Sequence, residues 1–269
     1  MQFIVEGYPA YAYTGGRAFD PALPAIVFIH GAAFDHSVWQ WQSRYFAHHG
    51  FSVLAVDLPG HGRSPGAPRA KIEDWSRWIA SFIDSAALER PALVGHSMGS
   101  LIALETALRH GERISKLALV GTATPMPVGD AFLAAARDDS PAALDMEAVW
   151  GHSRQAQLAQ SPVPGMNLLG ASRMLNERSR PGALAAALDA CNRYRASTQA
   201  LHSLQVPTLV VAGRRDQMTS FKAGKAVAGE IPGARFVALD AGHSMMSEAP
   251  HGLLAALKAF LAPEPTDPR

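Results

Sequence analysis

Ser97 stands in GHSMG (95–99), a match to G-x-S-x-G. The bare pattern also arises by chance in glycine-rich loops, so its flanks decide. An apolar run, PALVG (91–95), precedes the serine, and an amphipathic stretch, GSLIALETAL (99–108), follows it. A sharp strand-to-helix turn of this kind needs small residues on both sides. It pushes the hydroxyl out over the end of a sheet. The hydroxyl is a weak nucleophile until a base takes its proton. GHSM recurs at 242–245, and a weaker echo, GHSR, begins at Gly151. The flanks of the two GHSM words differ and no fixed period links them, so they are not read as a structural repeat.

His96 adjoins Ser97, but consecutive side chains diverge on a tight turn. It is expected to point away from the site and pack against nearby loops. His243 follows the last apolar run, and loops at the carboxyl ends of parallel strands gather on one edge of a sheet. His243 is therefore the candidate base, and Ser244 beside it a bystander. A base of this kind needs an acid to fix its tautomer and stabilise the imidazolium. Asp216 ends TLVVAGRRD (208–216) and ranks first. Asp57 and Asp240 are rivals, with Asp57 read as a loop organiser. The order Ser97, Asp216, His243 is the one an α/β architecture uses.

The elements that must position these residues are short apolar runs alternating with helical patterns. AIVFI (25–29), SVLAVD (52–57), PALVG (91–95), KLALVG (116–121), PTLVVAG (207–213) and RFVALD (235–240) carry little polar alternation. That predicts strands covered on both faces, hence a parallel sheet. Between them, IEDWSRWIASFIDSAALE (72–89) puts Ile72, Trp75, Ile79, Phe82 and Ile83 on one face. VWQWQSRYFAHHG closes on Gly50, MGSLIALETALRHG closes on Gly111, and HGLLAALKAFLA is a final helix. FIVEG and YAYT suggest a short antiparallel pair at the start. The fold class is a doubly wound α/β sheet. The alternation breaks between 124 and 204, where alanine-rich helical pieces (131–137, 183–190) and prolines replace strands. This stretch is too long for a bare loop. It is read as a helical cap on a core made of 1–123 and 205–269.

Composition narrows the function further. Hydrophobic residues make up 48% of 269 and charged residues 17%, which is enough for a sizeable core. With 24 basic and 23 acidic residues and no basic run, nucleic acid is not an expected partner. No apolar run approaches the roughly 20 residues of a membrane helix. MQFIVEGYPAYAY has neither the basic nor the apolar region of a signal peptide. The single cysteine, Cys191, fits a reducing compartment. A cytoplasmic location is expected, and the terminal APEPTDPR (262–269) is expected to fray. HExxH, paired CxxC and P-loop patterns are missing, so no cofactor and no metal are expected.

HGAAFDHSVW (30–39), DLPGHGRS (57–64), VGHSMGS (94–100), AGRRD (212–216) and AGHSMMSEAP (241–250) resemble the successive landmarks of the α/β-hydrolase superfamily, in family order. The chain is similar to the compact serine-esterase branch with a helical cap. Ser100 is a small departure, since a second glycine is common there. The resemblance implies an oxyanion hole built from the backbone amides of Met98 and Ala32, each worth about 3 kcal/mol to a developing oxyanion. It also leaves His30 and Gly31 as loop-shaping residues. It implies a cofactor-independent ester hydrolase acting on a small-molecule substrate. A thioesterase, a carbon–carbon bond hydrolase or a cofactor-free haloperoxidase or perhydrolase would keep the same triad. Superfamily dehalogenases and epoxide hydrolases resemble each other in an Asp nucleophile, against which Ser97 argues. The plant hydroxynitrile lyases have a lysine where Ser244 stands. A ligand receptor on the same fold is the reading from another class. For the substrate pocket the candidates are Trp150, Met166 and Met245, with Met174 and Tyr194 as further apolar cap residues. Seven arginines from Arg137 to Arg195 share their interval with six acidic residues, and all of these are read as solvated charge.

Overall fold

The computed structural model describes residues 1–262. The terminal stretch expected to fray lies, from 263 on, outside the described residues. The chain opens with a hairpin of β1 (Gln2–Val5) and β2 (Tyr8–Tyr13). β3 (Ala25–Ile29), α1 (Gln40–Ala47), β4 (Ser52–Val56), α2 (Ile72–Ser85), β5 (Ala92–His96), α3 (Met98–His110) and β6 (Leu117–Val120) follow. An all-helical insert comes next: α4 (Asp130–Arg137), α5 (Pro141–Trp150), α6 (Arg154–Gln157), α7 (Leu168–Glu177), α8 (Ala183–Arg193) and α9 (Thr198–His202). β7 (Thr208–Gly213), α10 (Phe221–Glu230), β8 (Arg235–Leu239), α11 (Met245–Glu248) and α12 (Pro250–Leu261) complete the described chain.

The strands form one sheet in the order β1-β2-β4-β3-β5-β6-β7-β8. β1 pairs antiparallel with β2, and β2 with β4, while β4 to β8 run parallel. Successive strand side chains face opposite ways. Val27 and Ile29 therefore enter the core under α2 and α3, while Ile26 and Phe28 enter the core with Trp39, Phe46, Leu253 and Leu257. Both sets are apolar because helices cover both faces. Burying each such side chain contributes roughly 2 kcal/mol, and this packing fixes the sheet that carries the loops. The stripe Ile72, Trp75, Ile79, Phe82 and Ile83 is wholly buried, as its spacing requires. β8 differs from the expected two-faced burial: as an edge strand it is half exposed. α3 ends at His110 and passes into a 3₁₀ turn at Gly111–Arg113 rather than stopping on Gly111.

Most of the insert's buried apolar residues belong to the same core as those under α2 and α3. α4 packs on α5 and α8, α5 on α7, and α8 reaches down to α3. Leu184, Ala187, Leu188 and Cys191 are the buried side of α8. Several ties fasten the insert to the rest of the fold. The Tyr194 hydroxyl donates to Glu105 (2.8 Å). Arg178 pairs with Asp35 (3.0 Å). The Ser244 amide donates to the Gly151 carbonyl (2.8 Å). α9 packs instead against α10, beside the sheet. Among the described residues no helix is long and apolar enough to cross a membrane.

Candidate active site

Ser97 joins β5 directly to α3, with φ +52° and ψ −120°. A non-glycine residue held there stores roughly 1–3 kcal/mol of strain. Its surroundings enforce the turn. The Ser97 amide donates to Val120 O (2.9 Å), and Ser97 O accepts from the Ser100 amide (2.8 Å) and hydroxyl (2.6 Å). Ser100, the departure from a glycine, thus stitches the turn. The flanking glycines are sterically required. A Cβ on Gly95 would lie 2.1 Å from Gly99 O, and one on Gly99 2.4 Å from Ile29 O.

His243 and Asp216 come together as expected. His243 Nδ1 lies 2.8 Å from Asp216 Oδ2, and both side chains are buried. Asp216 also accepts from the Met218 amide (2.9 Å), the Thr219 amide (2.8 Å) and the Thr219 hydroxyl (2.8 Å). Burial alone would raise the Asp216 pKa. The charge and hydrogen bond of His243, with those from Thr219, outweigh it and hold Asp216 below its ordinary value. Burial alone would lower His243, yet Asp216, then Glu147 and Glu248, carry it above its ordinary value. With the Nδ1 proton given to Asp216, Nε2 is the basic nitrogen. Among the described residues Nε2 has no hydrogen-bond partner, the Ser97 hydroxyl included. Contacts of this type commonly tighten only around a substrate. Thr219 escaped the sequence reading. Its signal is the spacing DQMT, in which a carboxylate caps amides two and three residues on, just before α10.

His96 is not turned away from this group. Its ring lies 4.7 Å from that of His243, and its Nε2 donates to His243 O (3.0 Å). Side chains diverge at the turn, but β6 and the His243 loop close over it and meet His96 from the other side. Burial, then the neighbouring His243, pushes His96 down to about 3, so it stays neutral and serves as a brace. It also meets Phe34 and Trp39, as expected. The echo GHSR packs on the second GHSM. Glu248 accepts from the Gly242 amide and the Ser153 amide (3.1 Å each), and Ser153 Oγ bonds to it as well. The rivals to Asp216 are engaged elsewhere. Asp57 accepts from the amides of His36 and Arg63 (2.8 Å each), organising its loop, and Asp240 pairs with Arg215 at the surface.

Ser97 and Ala32 line a cavity of about 320 Å³ beneath the insert. Among the described residues neither the Ala32 nor the Met98 amide finds an acceptor in the loops and turns. The first amides of a helix have none within it, so Met98 N–H is available beside Ser97. Met126, Phe132, Trp150 and Leu188 give the cavity apolar walls. Of the sequence candidates, Trp150 therefore lies where expected, edge-on to Phe132. Met166 does not: it lines a separate cleft with Trp41 and Met246. Met245 does not either. It starts α11 and is buried in the core shared with α12. Met174 is 68% exposed, and Tyr194 is spent on Glu105. An apolar residue on an insert helix can face three ways, and its type does not choose among them.

Glu147 is the second residue the sequence reading missed, since it was counted with the solvated charges. It is 4% exposed, lines the cavity, and burial raises it to about 7, a nearby His243 opposing. Among the arginines of the insert, Arg137 pairs with Asp189 and Arg173 with Asp145. None lines the cavity. Among the described residues one group, Asp35, His36 and Asp57, could offer three ligand atoms to a metal ion. Its oxygens already accept from the amides of His36, Ser37 and Arg63. His30 shapes the same region, its Nε2 accepting from the Leu58 amide (3.0 Å).

Comparison with known proteins bears on the family and the fold. The chain is 32% identical over 220 residues to a pimeloyl-[acyl-carrier protein] methyl ester esterase of Neisseria meningitidis, covering 78% of this chain and 80% of that protein. It is 27% identical over 262 residues to an sn-1-specific diacylglycerol lipase of Mus musculus, covering 90% and 82%. The enol-lactonase from Burkholderia xenovorans LB400 superposes with a TM-score of 0.85 at 25% identity, over 97% of this chain and 99% of that one. The family model described as alpha/beta hydrolase fold matches residues 24–250. The chain belongs to the α/β-hydrolase family.

Proposed function

We propose that this protein hydrolyses small carboxylic esters through Ser97, His243 and Asp216, without a cofactor. Ser97 attacks the carbonyl while His243 Nε2 takes its proton. The amides of Met98 and Ala32 receive the oxyanion. His243 then returns the proton to the leaving alcohol, and a water activated by the same nitrogen clears the acyl-enzyme. Asp216 holds the Nδ1 tautomer and offsets the imidazolium charge. The observation that carries this reading is the 2.8 Å His243–Asp216 bond, with Nε2 left without a partner and a strained serine on a cavity wall. The helices between 124 and 204 act as the cap over that cavity. Walls without lysine or arginine disfavour an anionic acyl group. A cytoplasmic site of action is supported by the single unpaired cysteine.

A fluorophosphonate probe tests the proposal. One equivalent is expected to add to Ser97, located by peptide mass spectrometry, and His243→Ala should label at least ~10³-fold more slowly. Labelling at another residue, or none, would count against the mechanism.

A further inference from the structure

Glu147 is the one charged side chain on the cavity wall among the described residues. Its carboxyl makes no hydrogen bond there, and Oε2 is fully buried without a partner. Buried polar atoms are nearly always satisfied, and an orphan asks what fills its place. The position is fixed. Glu147 and Trp150 lie three residues apart on α5, so both reach the same wall. The helix end is anchored by Gly151, whose amide donates to Glu147 O (2.9 Å) and whose carbonyl binds the Ser244 amide next to His243. Two titratable groups face the carboxyl: His243 on the loop after β8, and Cys191 on α8. Neither gives it a hydrogen bond.

We infer that Glu147 is a substrate-recognition residue whose carboxyl receives a hydrogen-bond donor, a hydroxyl or an ammonium group, carried by the ester on the part held under α5. Charged or neutral, a carboxyl can accept from such a donor, so both donors share one chemistry. The nearby apolar walls hold the carbon chain, and the one carboxyl among the lining residues sets register and selectivity. A site built to hydrogen-bond a substrate group strongly rejects an analogue lacking it, because its own polar atom is then left unpaired. This inference deepens the ester-hydrolase reading and rests on it.

The test uses p-nitrophenyl esters whose acyl chains of matched length end in hydroxyl, ammonium or methyl, over several chain lengths. Wild type is expected to favour a donor-bearing ester over its methyl analogue by about 10²-fold in kcat/KM. Glu147→Leu should reverse the order. Glu147→Gln should keep the hydroxyl preference within about tenfold and lose that for ammonium. Because the reacting bond is common to all three, any effect on the chemical step cancels in the ratio. Equal ratios in wild type and both variants would overturn the inference while leaving the hydrolase reading intact. If no ester is turned over, the hydrolase reading fails separately. Calorimetry of Ser97→Ala with the matched alcohols, amines and alkanes then decides. Loss of donor-dependent binding for alcohol and amine in Ser97→Ala/Glu147→Leu, and for the amine alone in Ser97→Ala/Glu147→Gln, supports the role, and binding indifferent to residue 147 refutes it.

Discussion

At Gly95 one methyl group would stand 2.1 Å from Gly99 O, backbone that cannot step aside. Gly95→Ala is therefore expected to destabilise the protein by about 3 kcal/mol or more, read from denaturant unfolding, with activity lost even in the folded fraction. Asp216→Asn should leave the melting temperature nearly unchanged and lower kcat by about 10⁴-fold, because the amide favours the wrong His243 tautomer. The pH profile follows from the same pair. His243 must be neutral to accept a proton, and its pKa lies above the ordinary 6.5. So kcat/KM should fall as pH drops through a value above 6.5, and Glu147→Gln should move that limb to lower pH. Ser97, Asp216 and His243 were legible because each follows an apolar run that could only be a strand. Glu147 was not, because an acid on a helix ordinarily faces water and nothing local marks the exception.

Strands β3 to β7 were legible because burial on both faces leaves almost no polar residue in them. The insert was less so. Its helices pack on one another, on the sheet edge and around a cavity, so their apolar residues follow no single stripe. Better signals for α5 and α6 lay at their ends. Ser140 caps α5 ahead of Pro141, and Ser153 caps α6. α5 also carries a cost. Glu147 titrates near 7 in the folded protein against 4.5 unfolded, so the folded state holds the extra proton between these values. Its contribution is complete below pH 4.5 and is lost as pH rises through about 7, on the order of 3 kcal/mol in all. Glu147→Gln should lack this component. Unfolding free energies measured from pH 4.5 to 8 should therefore decline less steeply in the variant; parallel curves would count against a buried Glu147.

For the whole molecule, the site exists only because distant segments meet at one sheet edge and the insert closes over them. Cys191 reports on that closure. It is buried on the cavity wall, and burial, then Glu147, pushes its thiol up to about 12. Alkylation of the native protein is expected to run at least ~10²-fold slower than that of the unfolded chain, and slower again with a phosphonate on Ser97. Ser97, from the first GHSM, is proposed to react with help from His243, from the second. The mass of the protein quenched during turnover of a p-nitrophenyl ester decides this. One acyl group is expected on the peptide carrying Ser97, accumulating with the nitrophenol burst and missing in Ser97→Ala. Ester turnover that persists in Ser97→Ala, or an acyl group found on another residue, would contradict it.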